Sequence, residues 1–196
     1  MRLARYLSHP QVRIDPTAPV PAWGLSDIGR RRTEALAAAG CLAGTGLIVS
    51  SGERKAVETA SIIARTLGLD VEVREDMHEN DRSATGYLPP AEFEATADQF
   101  FARPNESIRG WERAIAAQRR IVAEVDSVLA RDVPGNVLFV GHGAVGTLLY
   151  CHYAGLSIDR LYDQPAGGGN YFTFRIDQRR VEHGWQPMER MAAPSE

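Results

Sequence analysis

The chain has 196 residues, a length that predicts one globular domain or one domain with a sizeable insertion. Hydrophobic residues make up 44% and charged residues 24% of the sequence, as is usual for a soluble protein with a full core. The formal net charge is −3, without the basic excess that nucleic acids or anionic membranes attract, so neither is expected as a partner.

Membrane insertion and secretion are not expected either. No uninterrupted apolar run approaches the ~20 residues that span a bilayer. The first residues lack the apolar stretch of a secretory signal. Cys41 and Cys151 stand far apart and outside any metal-ligand spacing, so we expect two buried free thiols and a reducing, cytoplasmic location.

The first half of the chain alternates short apolar runs with helical patterns. The predicted elements are a strand over residues 3–7, a proline-rich loop over 10–23, a helix from about 27 to 39, a strand over 47–49, a helix over 54–67 and a strand over 71–73. Ser26 is the predicted N-cap of the first helix, and Gly68 closes the second.

The second half continues the alternation after an irregular stretch over residues 77–90. We expect helices over 90–102 and 108–129, a strand over 137–140, a helix from about 144 to 153, a strand over 170–176, a late hairpin strand over 181–185 and a frayed tail of about eight residues. This order predicts a three-layer α/β/α fold with a mostly parallel central sheet.

Two of the predicted strands end in histidines. His142 stands between Gly141 and Gly143, which would let the backbone approach a ligand, and the following helix would direct its N-terminal amides at an anion. His9 ends the first strand and precedes Pro10. Ligands bind at the carboxyl ends of strands in such sheets, so both histidines are predicted to face one site. A purely structural histidine is the alternative for each.

Cations also occur where a helix should disfavour them. Arg54 and Lys55, the only lysine in the chain, lie in the first turn of the predicted helix over 54–67, where the macrodipole opposes positive charge. A bound anion would explain them. The alternative is a solvated helix start in which Arg54 and Lys55 pair with Glu53 or Glu58. Glu79 follows the next strand and, taken alone, is an ordinary loop carboxylate.

These motifs, in this order, resemble the histidine phosphatase superfamily, also called phosphoglycerate mutase-like. Its pattern is a strand ending in Arg-His-Gly, a Leu-Thr-x-x-Gly helix start, a Ser-Ser-x-x-x-Arg-Ala-x-x-Thr-Ala segment, a glutamate after the next strand, a Gly-Glu-Ser helix start and a late His-Gly. The matching residues here are Leu25–Gly29, Ser50–Ala60, Glu79, Asn105–Ser107 and His142-Gly143. The resemblance spans about residues 2 to 176. It implies a phosphoglycerate mutase-like fold as a single domain over 1–196, with a helical cap insertion over about 80–113.

The chain departs from the family pattern at the two phosphate-binding arginines. Ser8-His9-Pro10 stands where the family has Arg-His-Gly, and Lys55 aligns with the second arginine. Arg54 lies one residue away from that position. Serine removes a charge and a forked donor, and lysine loses the bidentate geometry of arginine.

The resemblance implies catalytic roles for His9, Glu79 and His142. His9 would be the nucleophile that carries a phosphohistidine, and Glu79 the general acid and then the base. His142 would hold the phosphate oxygens together with the phosphate-binding residues Ser8, Lys55 and Arg54, and no metal or cofactor would take part.

The predicted function is therefore a metal-independent phosphatase for a phosphorylated small molecule. Loss of one pre-organised donor costs ~10²–10³ in rate, so the departures predict reduced activity unless another arginine compensates. Arg5, Arg13, Arg54 and Arg82 are available for this. Two alternatives stay open: a non-catalytic protein that binds a phosphoryl ligand on the same fold, and a phosphomutase.

Overall fold

A computed structural model describes residues 2–191. The predicted frayed tail falls largely on residues 192–196, which lie outside the described residues. Over the described range the strands and α-helices are, in chain order, β1 (Leu3–Ser8), α1 (Asp27–Ala38), β2 (Thr45–Ser51), α2 (Arg54–Leu67), β3 (Val71–Arg74), α3 (Pro90–Ala102), α4 (Ala114–Leu129), β4 (Asn136–Gly141), α5 (Gly143–Ala154), β5 (Asn170–Arg175) and β6 (Val181–Pro187).

The six strands form one mixed sheet in the order β3-β2-β4-β1-β5-β6. The pairs β1–β4, β2–β4 and β2–β3 are parallel, whereas β5 runs antiparallel to both β1 and β6. The mostly parallel sheet and the late hairpin are therefore confirmed. Because β1, β2 and β4 run in the same direction, their carboxyl ends meet at one edge of the sheet.

The helices cover both faces of the sheet. α1 and α2 pack on one face through buried residues such as Leu36 and Ile63, and α4 and α5 pack on the other through Ile121 and Leu148. The two apolar clusters follow the alternation of side chains along β1, where Tyr6 points to one face and Leu7 to the other. The predicted three-layer α/β/α architecture is confirmed.

Helix ends follow the local signals in the sequence. The Ser26 hydroxyl accepts a hydrogen bond from the Gly29 amide at 3.1 Å and caps α1. α2 ends at Gly68, whose φ of 67° lies in the left-handed region that glycine adopts without strain. Both ends agree with the prediction.

The prediction of a continuous helix over residues 108–129 is wrong at its start. A short 3₁₀ turn covers Ile108–Gly110, and α4 begins only at Ala114. Arg109 has a φ of 51°, which interrupts the helical path. The break lets the Trp111 ring, which is buried, pack 5.9 Å from the Phe93 ring. Tertiary packing of one aromatic side chain thus overrides the helical periodicity.

Residues 80–113 contain α3 and lie against the face of the sheet covered by α4 and α5. Phe100 and Phe101 are buried in that core, so most of the aromatics of this segment serve packing. The description of this segment as a cap insertion in a single domain stays a prediction.

Cys41 and Cys151 are buried free cysteines, as expected, and a cytoplasmic location stays a prediction. None of the helices within residues 2–191 has the length and apolar character to cross a membrane.

Candidate active site

The parallel pairing of β1 and β4 brings the two histidines together. Ser8 lies opposite Gly141 in the register, and the His9 amide donates to the Gly141 carbonyl at 2.9 Å. The next residue on each strand is a histidine, and the His9 and His142 ring centroids lie 5.3 Å apart with their planes at 70°. Two residues separated by most of the chain therefore share one site.

The imidazole of His9 has one nitrogen engaged and one free for chemistry. Its Nδ1 lies 2.8 Å from the carbonyl oxygen of Pro10, an acceptor, so Nδ1 carries the hydrogen and Nε2 the lone pair. Burial lowers the pKa of His9 to about 4, and the positive charges of Lys55 and Arg82 act in the same direction. His9 is therefore neutral at pH 7, as a nitrogen nucleophile must be.

His142 is fully buried and fixed from two sides. The Tyr6 hydroxyl accepts from the His142 amide at 3.1 Å and donates to the His142 carbonyl at 3.2 Å. The Nε2 atom lies 2.8 Å from the Ser51 hydroxyl and 3.5 Å from a carboxylate oxygen of Glu53. Nδ1 has no hydrogen-bond partner among the described residues. Burial lowers the pKa of His142 to about 3, against the attraction of the nearby carboxylates, so this imidazole is also neutral.

The two glycines beside His142 serve protein packing. A Cβ atom on Gly141 would lie 2.3 Å from the Tyr6 hydroxyl, and one on Gly143 would lie 2.1 Å from Nε2 of Gln164. The sequence suggested that these glycines leave room for a ligand. In the structure the space beside Gly141 is filled by Tyr6, which binds the His142 backbone, and the space beside Gly143 is filled by the end of the Gln164 side chain.

The N-terminus of α5 holds an anion, as expected, but the anion is a protein side chain. The carboxylate of Glu79 accepts from the amide of Val145 at 3.0 Å and from that of Ala144 at 3.2 Å. Its Oε1 atom also accepts from the Asn80 amide at 3.1 Å, whereas Oε2 carries only the bond from Ala144. Glu79 thus lies beside His142 and keeps one oxygen with a spare lone pair.

Lys55 is buried and paired. Only 3% of the residue is exposed, its ammonium donates to the Val20 carbonyl at 3.0 Å, and it forms an ion pair with Glu53. Glu53 also accepts from the Glu79 amide at 2.9 Å. Burial opposes the ionisation of Glu53, but the attraction of its neighbours and these hydrogen bonds hold its pKa well below the usual value. Because His142 is neutral, we attribute that shift to Lys55 and the amide.

The sequence offers two interpretations of the cations at the start of α2, a bound anion or ion pairs within a solvated helix start. Lys55 pairs with Glu53 and Arg54 with Glu58, as the second interpretation predicts. The Lys55 pair is nevertheless buried, with side-chain exposures of 4% and 9%, and it touches the histidine site. A solvated surface pair does not describe it.

Ser8 and Arg54 are directed elsewhere. Ser8 is fully buried, and its hydroxyl donates to Oε1 of Gln164 at 2.5 Å and accepts from the Asn170 amide at 3.0 Å. The Arg54 side chain is 64% exposed and lies 2.8 Å from Glu58. Neither contacts His9, so phosphate-binding roles for these two residues stay predictions.

A cleft of about 960 Å³ adjoins the histidines. It is lined by residues 19–22, 52–54, 57–58, 75–76, 78–83 and 86. Glu53 and Glu79 belong to this lining, whereas His9, His142 and Lys55 do not. The fully buried His142, which lies 3.5 Å from Glu53, is therefore behind that carboxylate as seen from the cleft. Within residues 2–191 no group of three His, Cys, Asp or Glu side chains is arranged to hold a metal ion.

Of the arginines considered as compensating cations, Arg82 is the best placed. Arg82 lines the cleft, and its charge lowers the pKa of His9. Its guanidinium carbon lies 5.1 Å from the Phe93 ring centroid and 5.6 Å from that of Trp111, which fixes the cation above two aromatic faces. Arg5 lies instead near Cys41 on the sheet face covered by α1 and α2.

Four residues at the site carried no clear signal in the sequence. Tyr6 binds the backbone of His142, and Gln164 and Asn170 bind the hydroxyl of Ser8, all through contacts between distant segments. Glu53 was identified only as a possible partner of a cation. Their roles depend on strand register and on where loops return to the sheet, which no short motif encodes.

Comparisons with known proteins identify a family and a shared fold. The sequence model of a family described as the histidine phosphatase superfamily (branch 1) matches residues 17–183, which begins after His9. No curated protein matches the chain.

Three solved structures illustrate the likeness in fold. Mycobacterial glucosyl-3-phosphoglycerate phosphatase with inorganic phosphate has a TM-score of 0.79 at 20% identity, over 96% of this chain and 99% of that one. The protein YhfR of Bacillus stearothermophilus has a TM-score of 0.79 at 20% identity, over 94% and 95%. Phosphoserine phosphatase of Entamoeba histolytica with 3-phosphoglyceric acid has a TM-score of 0.74 at 14% identity, over 95% and 98%.

Proposed function

The chain belongs to the histidine phosphatase superfamily, and from this premise we propose that it hydrolyses phosphate monoesters of a small molecule without a metal, through a phosphohistidine on His9. The solved relatives named above include phosphatases bound to inorganic phosphate or to 3-phosphoglyceric acid, which supports a phosphorylated ligand of this size class. The identity of the substrate is left open.

The observation that carries the proposal is the state of the His9 ring. The Pro10 carbonyl takes up the only N–H of the neutral imidazole, and Nε2 is left as a nucleophile beside His142. An imidazole that is partly buried, neutral and oriented by a backbone acceptor has the properties that covalent catalysis at nitrogen requires.

The proposed reaction has two displacements at phosphorus. In the first, which requires Glu79 in its protonated form, the lone pair of His9 Nε2 forms the N–P bond, the P–O bond to the ester breaks, and the leaving oxygen takes the carboxyl proton of Glu79. In the second, water attacks phosphorus and gives its proton to Glu79, and the N–P bond electrons return to Nε2. Oε2 of Glu79, which carries a single amide bond, is the oxygen suited to this transfer.

Positive charge in this site is scarce, and this supports a reduced rate. Lys55 and Arg82 are the cations whose fields reach His9, and Lys55 is already paired with Glu53. The transferring phosphoryl group spreads negative charge over its oxygens, and enzymes of this type accelerate the reaction mainly by electrostatic stabilisation. We therefore expect slow turnover compared with a site that holds two arginines.

The test measures the release of inorganic phosphate from a panel of phosphate esters and compares the unmodified protein with His9→Ala. Activity on at least one ester, abolished in His9→Ala, is the expected result. His152→Ala is the matched control, because His152 is an exposed histidine on α5 and its removal should leave activity unchanged. Trapping of an acid-labile, base-stable phosphorylated protein that is missing in His9→Ala tests the intermediate itself. Absence of release for every ester would refute the proposal.

A second function is favoured by Ser8 and by the Lys55–Glu53 pair. A neutral serine and a self-paired lysine at the two arginine positions fit a protein that binds a phosphoryl ligand without turnover. Measurable phosphate binding with no release from any ester would select this function over hydrolysis. No feature of the site favours a phosphomutase.

A further inference from the structure

Both anion-binding features of the site are occupied by carboxylates of the protein itself. The amides at the start of α5 bind Glu79, and the ammonium of Lys55 binds Glu53. Each feature was expected from the sequence to attract a phosphate. Of these two carboxylates, Glu53 has the larger effect on the site, because it contacts both Lys55, the only lysine of the chain, and His142.

Glu53 lies between the cleft and His142. It lines the cleft, whereas Lys55, His9 and His142 lie outside the lining. One of its carboxylate oxygens pairs with Lys55, and the other lies 3.5 Å from Nε2 of His142 and 2.9 Å from the Glu79 amide. The side chain is only 9% exposed, and two donors, the Lys55 ammonium and the Glu79 amide, hold its carboxylate next to the His142 ring.

A phosphoryl oxygen and the Glu53 carboxylate would compete for the same donors. Two like charges ~4 Å apart repel each other strongly at the effective dielectric of a partly buried site. Ser8 supplies no positive charge to offset that repulsion, and Arg54 is paired with Glu58 at the surface. A phosphate dianion therefore cannot reach His9 with Glu53 in its present position without a large electrostatic cost.

We propose that Glu53 is a built-in occupant of the phosphate position, and that its carboxylate must leave Lys55 and His142 for the cleft before a phosphoryl group can bind beside His9. The inference rests on the proposed function only for the nature of the incoming anion. It makes Glu53 the residue that sets phosphate affinity, and it makes entry of phosphate an exchange of one anion for another.

The test compares the affinity for inorganic phosphate of the unmodified protein, Glu53→Gln and Glu75→Gln by calorimetry. Glu53→Gln removes the competing charge and should bind phosphate at least about tenfold more tightly. Glu75→Gln is the matched control, since Glu75 is an exposed carboxylate in the cleft lining without contact to Lys55 or His142. It removes the same charge and should change the affinity by less than about threefold, as expected for a screened surface charge.

Unchanged or weaker phosphate binding in Glu53→Gln, or an equal gain in Glu75→Gln, would overturn the inference. Should Glu53→Gln fail to fold, the unmodified protein provides a second test. Phosphate titration followed by amide NMR should shift the Glu79 amide, because that amide loses its bond to Glu53. Saturation with phosphate without movement of this signal would also overturn the proposal.

Failure of this inference and failure of the proposed function can be told apart. Tighter phosphate binding in Glu53→Gln, combined with absence of hydrolysis in every form of the protein, would uphold the role of Glu53 and refute the phosphatase. Ester hydrolysis that depends on His9, combined with unchanged phosphate affinity in Glu53→Gln, would uphold the phosphatase and refute the role of Glu53.

Discussion

Two neutral histidines, the buried His142 and the partly buried His9, should make the folded protein sensitive to mild acid. The pKa of His9 falls from 6.5 to about 4, and that of His142 from 6.5 to about 3. For each, the unfolded chain binds a proton as the pH falls through 6.5, whereas the folded protein does not. Folding stability from these groups is therefore fully present above pH 6.5 and is lost as the pH falls toward the folded values.

The size of the loss follows from the interval between the unfolded pKa and the pH of the experiment. At pH 5 both folded histidines are still neutral, and the interval from 6.5 is ~1.5 units. At ~1.36 kcal/mol per unit, each histidine costs ~2 kcal/mol and the pair ~4 kcal/mol of unfolding free energy between pH 7 and pH 5. Glu53 acts in the same direction but in a lower pH window, since its stabilisation is lost only as the pH falls below its unfolded value of 4.5.

Urea denaturation at pH 7 and pH 5 measures this loss. In His142→Gln the difference between the two pH values should shrink by ~2 kcal/mol, because one of the two titrating groups is gone. His152→Gln should retain the full difference, since His152 is exposed. If His142→Gln loses as much stability between pH 7 and pH 5 as the unmodified protein does, the reasoning about burial is wrong.

Three substitutions test other parts of the site. Ser8→Arg restores the family residue, but Ser8 is fully buried against Gln164. We therefore expect the variant to lose ~3 kcal/mol or more of unfolding free energy and to gain no activity. A gain in kcat would contradict this. Gly143→Ala should cost ~1–3 kcal/mol in thermal or urea unfolding, since its Cβ would lie 2.1 Å from Gln164, and an unchanged melting temperature would refute the packing argument. Arg82→Gln should raise KM roughly tenfold by removing a cation that reaches His9, and an unaltered KM would remove Arg82 from the site.

Much of the fold could be predicted from the sequence because its signals are local. Period-two and period-3.6 patterns located the strands and helices, and Ser26 and Gly68 marked helix ends through their own backbone chemistry. The prediction failed at residues 108–113, where the local pattern is helical but Trp111 gains more by packing against Phe93. Local propensity is weak there compared with the burial of an aromatic ring.

The sequence by itself determined that strand-end histidines, a cationic helix start and a loop glutamate belong to this protein. Only the tertiary structure decided what those groups bind. Register between β1 and β4 placed His9 beside His142, and folding brought Glu79 to the first amides of α5 and the Lys55–Glu53 pair against His142. A sequence shows which charges exist, but their pairing depends on distances of a few ångströms between segments that meet only after folding, because charge–charge energy falls with separation.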